Sequence, residues 1–169
     1  MEVTHVVCGI VIKMNSKFKK AIFFSILAVA LIALFDILVA HSGVFGTFED
    51  YTNGFYVDGW WSVFVIINLF VISIVPVVYY FFVRKDKSET ISLFFTSLIL
   101  WFTGLADILY FIFQFKMIPA TLPWLNHGFY QLTSSIMGLE VVTRISLIIT
   151  SILGFIFVFY MNKFMEKIN

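Results

Sequence analysis

Charged residues are scarce: Asp, Glu, Lys and Arg make up 12% of this 169-residue chain, about half the share of an ordinary soluble domain. The formal net charge of +1 removes any global electrostatic case for nucleic acid or for an acidic partner. Cysteine occurs once, as Cys8. No internal disulfide can therefore form, and a lone thiol is a poor metal or redox motif. Glycine-rich phosphate loops and the HExxH, CxxC and GxSxG patterns are all missing, which withholds the usual signatures of nucleotide, zinc-peptidase, redox and serine-hydrolase chemistry. There is also no internal repeat, no low-complexity tract and no stretch with the composition of a soluble domain.

What fills the sequence is apolar. Hydrophobic residues account for 61% of the chain, and Phe alone occupies 22 positions. Runs of spanning length fall at about 21–41, 60–83, 91–115 and 136–161, each near the ~20 residues that a ~30 Å hydrocarbon core requires. Continuous Phe, Ile, Leu and Val runs satisfy their own backbone in lipid only as helices, and the alternation of membrane strands is absent. The sequence thus predicts an all-α integral membrane protein, a bundle of four transmembrane helices in one domain over residues 21–162. Residues 1–20 precede it as an N-terminal segment and residues 163–169 follow as a tail.

Orientation follows from the basic residues. Lys13, Lys17, Lys19 and Lys20 precede the first run, Arg84, Lys85 and Lys87 separate the second and third, and Lys163 and Lys167 follow the fourth. With four spans these segments share a side, and they hold nine of the eleven basic residues. The opposite side carries Glu49, Asp50 and Asp58 in one loop and Lys116 in the other. The positive-inside rule then puts both termini in the cytoplasm of a multi-pass cell-membrane protein. A basic stretch before an apolar run also resembles a signal peptide, but 21–40 is longer than a typical signal core and Val39, Ala40 and His41 form no small-x-small cleavage site. A retained first span is expected. Met14, with its basic flank, would itself make a natural start, so residues 1–13 receive no role.

The two outer loops, 44–61 and 116–133, are rich in aromatics, Gly and Pro. Tyr56, Trp60, Trp61, Trp124 and Tyr130 suit an interfacial belt, and together they are placed to roof a cavity.

The informative residues are the polar ones inside the spans, since an ionisable group at the bilayer centre costs at least ~2.5–3.5 kcal/mol and is a functional candidate by default. Asp36 lies sixteen residues beyond Lys20, about 24 Å along a helix, and Asp107 reaches a similar depth from Thr90. Asn68, Glu140 and Arg144 fall in the same outer half when counted inward. Thr103, Asp107 and Tyr110 share a helix face, with Gln114 a turn further, and Glu140 and Arg144 are spaced as an i, i+4 pair. Three carboxylates thus face one guanidinium. If Glu140 pairs with Arg144, Asp107 is left as the working carboxylate, and a proton or a bound cation must balance the excess.

Asp107, Asp36, Glu140 and Arg144 are accordingly the expected catalytic groups, with Asn68, Thr103, Tyr110, His41, His127 and Trp124 as expected ligand contacts. A metal held by His41, His127 and the carboxylates lacks the spacing of a ligand motif, because Asp36 and His41 point about 140° apart on an ideal helix. No metal is assigned. The stretch Asp107, Ile108, Leu109, Tyr110, Phe111 resembles a segment of the emopamil-binding sterol isomerase family, and the resemblance implies a four-helix domain enclosing acidic residues and aromatics around a lipid. It spans five residues, and the first run has no His and Glu four apart, so no catalytic role is carried over.

The polar acidic site points first to binding or acid-base modification of a membrane lipid or other apolar small molecule, and catalysis and passive binding both fit it. One alternative is a structural or accessory subunit whose polar residues lock the bundle, with Gly104, Gly138 and Gly154 allowing close helix approach. The other is a proton- or cation-coupled transporter working as an oligomer, for which the apolar inner halves of the spans supply no charged route.

Overall fold

A computed structural model describes residues 16–42, 60–83, 85–122, 125 and 128–168. The described residues are helical, with no β-strand beyond one isolated bridge. The helices are α1 (Ser16–Ser42), α2 (Trp60–Val78), α3 (Lys87–Phe102), α4 (Leu105–Phe113), α5 (Gly128–Ile136) and α6 (Arg144–Ile168). Three of them, α1, α2 with its extension, and α6, are long and apolar enough to cross a membrane. The pair α3 and α4, bent by 70° at a short break, makes a fourth if counted as one span.

Local chemistry sets these boundaries. Pro76 sits inside α2, where it withdraws one N–H from the ladder, and the helix widens into π turns over Tyr79–Val83. Asp86 caps α3, its carboxylate accepting from the backbone N–H of Ser88 at 3.1 Å and Glu89 at 3.3 Å, as an N-cap does. The break after Phe102 is made by Gly104, whose φ of +91° suits only glycine without strain. An added Cβ there would run into the Leu147 side chain and come within 2.8 Å of the Tyr130 ring. Ser151 of α6 secures the bend by donating to the Thr103 carbonyl at 2.8 Å.

The last span begins later than the apolar run suggests. Helix α5 closes at Ile136 with the paired Leu139 N–H to Ser134 and Gly138 N–H to Ser135 bonds, Gly138 having φ +73°, which is a Schellman stop. After a turn through Glu140, Thr143 restarts the chain as α6: its hydroxyl accepts from the Ser146 N–H at 3.3 Å while the Ser146 hydroxyl accepts from the Thr143 N–H at 2.8 Å. This is the reciprocal arrangement of a capping box. The chain at Ala120–Leu122 pairs with Val142–Arg144 through two backbone bonds of 2.7 and 3.1 Å. Of the three expected close-approach glycines, Gly138 serves this turn in open space, whereas Gly154 lies against the Thr103 side chain with no room for a Cβ.

Helix α3 packs against α1, α2 and α6. One core layer joins Ala21, Tyr79 and Leu93; a second joins Val29, Ile32, Ile72, Leu100, Trp101 and Val158 among others. The starts of α1 and α3 and the ends of α2 and α6 therefore gather at one end, called here the basic end because Lys19, Lys20, Lys85, Lys87, Lys163 and Lys167 are exposed there. At that end Tyr79 donates to Glu89 Oε1 at 2.8 Å, Ser92 donates to Asn162 Oδ1, and Asn162 Nδ2 donates to Thr96 Oγ1 at 3.1 Å.

Candidate functional site

At the opposite end the break between α3 and α4 organises the polar residues. Asp107 is the third residue of α4, in the first turn of that helix, where backbone N–H groups and the helix dipole favour negative charge. The Tyr130 hydroxyl of α5 lies 3.1 Å from Asp107 Oδ2 and 3.5 Å from the Trp101 carbonyl. Its single proton goes to the nearer, better acceptor, so Tyr130 tethers α5 to α4 across the break. Tyr130 is itself buried in the layer of Phe111, Leu122, Leu125, Val142 and Leu147. The loop aromatic expected in the interfacial belt is thus an internal hydrogen-bond donor.

Asp36 lies in the last third of α1, which packs against α4, the helix that carries Asp107 and Tyr110. Tyr110 is one turn beyond Asp107, and Gln114 lies beside it. The two carboxyls differ in their partners. Asp107 accepts from Tyr130, whereas Asp36 Oδ1 is buried and meets no hydrogen-bond donor among the described residues. The oxygen left for another molecule is therefore on Asp36, and the expectation that Asp107 would be the unpaired carboxyl does not match this geometry. Asn68 of α2 is fully buried, and neither its oxygen nor its nitrogen finds a partner among the described residues.

Other expected site residues stand apart from this group. Glu140 is exposed in the turn before α6, so no helix brings it to Arg144. Arg144, the first residue of α6, is half-buried with its Nε unpartnered, and no ion pair joins it to Asp36, Asp107 or Glu140 among the described residues. Thr103 turns its hydroxyl back to the Ile99 carbonyl at 2.8 Å and supports the bend. His41 belongs to the last turn of α1 with its side chain outside the described set, and Trp124 and His127 lie outside the described residues altogether.

Two participants escaped the sequence reading. Tyr130 was hidden because an aromatic near a membrane surface has an ordinary interfacial explanation. Glu89 precedes the apolar run that begins at about 91, yet it is buried in the first turn of α3 and bonded to Tyr79. The Asp86 cap, directly after Lys85, was the available signal that a helix begins there.

The paired carboxyls, with one oxygen lacking a protein donor, can accept a hydrogen bond from a bound molecule or exchange a proton with it. The surrounding walls are apolar. No protein-family model, curated protein or solved structure matches the chain.

Proposed function

We propose that this chain is a four-span cell-membrane protein, with both termini cytoplasmic, that binds an apolar molecule at Asp36 and Asp107 and holds or modifies it through its carboxyl groups. The carrying observation is Asp36 Oδ1, buried on a helix packed against that of Asp107 and without a donor among the described residues. A buried acceptor left unmade costs about 1–3 kcal/mol, and such a residue inside an apolar helix is a functional-site hypothesis by default. The topology is supported by the six exposed lysines at one end of the bundle, with α3 and α4 together taken as one bent span. Exposed Phe23, Leu31, Leu38, Phe70, Phe81 and Ile156 suit contact with lipid chains.

In this reading Tyr130 positions Asp107, and Asp107 sets the electrostatic environment of Asp36. The ligand's polar group meets Asp36 while its apolar body lies among the Phe, Leu and Ile side chains of the spans. The bond network of Ser92, Thr96 and Asn162 supplies the structural locking at the other end.

Two experiments test this. A cysteine placed at Lys85 is expected to resist a membrane-impermeant thiol reagent added outside intact cells, and labelling there would overturn the orientation. Asp107→Asn keeps volume and removes charge, so the purified variant should fold and melt within a few degrees of wild type while losing the apolar molecule that copurifies. Full retention of that molecule, with only a melting shift, would reduce Asp107 to a structural tether.

A further inference from the structure

Asn68 and Asp36 occupy the same level of the bundle. Helices α1 and α2 run antiparallel, because Ala21 near the start of α1 packs with Tyr79 beyond the end of α2, while Ile32 and Ile72 share the next layer. Asp36 is four residues past Ile32 and Asn68 four residues before Ile72. Each is therefore about 6 Å, one turn, further from the basic end on the same helix face as its isoleucine. Ala106, the neighbour of Asp107, belongs to that layer too. Asp36 and Asn68 thus lie at a like depth on α1 and α2, with Asp107 next to that layer on α4. Asn68 is 0% exposed with both polar atoms unpartnered among the described residues.

We infer that Asn68 completes the site and that its occupant presents a hydroxyl group on an otherwise apolar body, an inference that rests on Asp36 and Asp107 being binding groups. The assignment comes from complementarity. A carboxamide needs both an acceptor for its NH₂ and a donor for its oxygen, and Asp36 Oδ1 needs a donor. A hydroxyl accepts from Asn68 Nδ2 and donates to Asp36. This leaves Asn68 Oδ1 to a second donor, whereas an ammonium group, which only donates, serves Asp36 and Asn68 Oδ1 and leaves the Nδ2 N–H unmet, and a buried N–H is orphaned more rarely than a carbonyl oxygen. A carboxylate only accepts and meets two like charges. A bare cation needs several oxygens, and the carbonyls nearest the helix break already accept, Trp101 from the Gly104 N–H and Thr103 from Ser151.

The test uses the full chain, stripped of lipid, in a detergent without hydroxyl groups, with four probes that share one alkyl chain: hexadecanol, its methyl ether, hexadecylamine and palmitate. Binding is read by tryptophan fluorescence and by melting temperature. Hexadecanol is expected to bind at least about tenfold more tightly than the ether, a ratio worth about 1.4 kcal/mol. Asp36→Leu should erase that advantage, because the ether has no proton to give Asp36, and Asn68→Leu should weaken hexadecanol and the ether alike, because both oxygens accept from Nδ2. Preference for the amine or palmitate that Asp36→Leu abolishes would overturn the hydroxyl assignment and keep the binding reading. No saturable binding of any probe would remove both. Undiminished hexadecanol binding by Asn68→Leu, with only a raised melting temperature, would make Asn68 a hydrated packing residue and overturn its place in the site.

Discussion

Asn162 and Asn68 are the same side chain, each fully buried on a membrane-length helix, and they meet opposite fates. Asn162 accepts from Ser92, donates to Thr96 and to the Val158 carbonyl, and so ties α6 to α3. Asn68 makes no hydrogen bond to any described residue. Among the carboxylates, Glu89 accepts from Tyr79 through Oε1 at the basic end, while Asp36 Oδ1 has no donor among the described residues. Buried polar groups in native proteins are nearly always satisfied, so a satisfied end reads as a lock and an unsatisfied end as a place where a second molecule supplies the missing bonds. In the proposed reading the same molecule puts buried polarity to a structural use at one end and a binding use at the other.

The largest effect should come from Gly154→Leu, which attacks the lock through packing. The Thr103 side chain already fills the space of a Cβ at Gly154, so the leucine forces α6 away from α3 and breaks the Asn162 bonds two turns further on. A loss of about 3 kcal/mol is expected, at the upper end of overpacking costs, seen as a clear drop in melting temperature in detergent. Unchanged melting would mean that α3 and α6 do not approach as described.

A sharper comparison exchanges each asparagine for leucine. Asn162→Leu strands the Ser92 and Thr96 partners and should destabilise by about 1–3 kcal/mol. Asn68→Leu removes a polar group that has no partner to lose, so ligand-free protein should gain up to about 1 kcal/mol. Opposite signs in the two melting shifts support the division into lock and site. Equal losses would break it, because Asn68 would then be bonded within the protein.

Much of this arrangement was legible in the sequence for a simple physical reason: a membrane-length helix must be apolar, so its rare polar residues stand out and their depth follows from helix rise. Counting along ideal helices set Asp36 and Asp107 at like depth, and the helices that carry them, α1 and α4, pack together. What stayed hidden were features that hydropathy does not report. Gly104 adopts positive φ and splits a continuous apolar run, although glycine in such a run reads equally well as a packing position. Gly138 and the Thr143 and Ser146 capping pair delay α6 to Arg144, which removes the helical register that would have joined Glu140 to Arg144. Tyr130 reaches Asp107 only because the bend turns α4 toward α5, a tertiary effect that one-dimensional spacing does not carry.

The most direct measurement is the amount of apolar molecule extracted by organic solvent from equal quantities of purified wild-type and Asp36→Leu protein, with melting temperature recorded on the same samples. Leucine keeps the branched shape of aspartate and removes every hydrogen-bonding atom, and the oxygen lost has no protein donor to strand. The account expects a variant that melts no lower than ligand-free wild type and carries little or none of the copurifying molecule. A variant with wild-type occupancy would contradict it, since a buried Asp36 oxygen with no donor among the described residues would then have no part in holding a ligand.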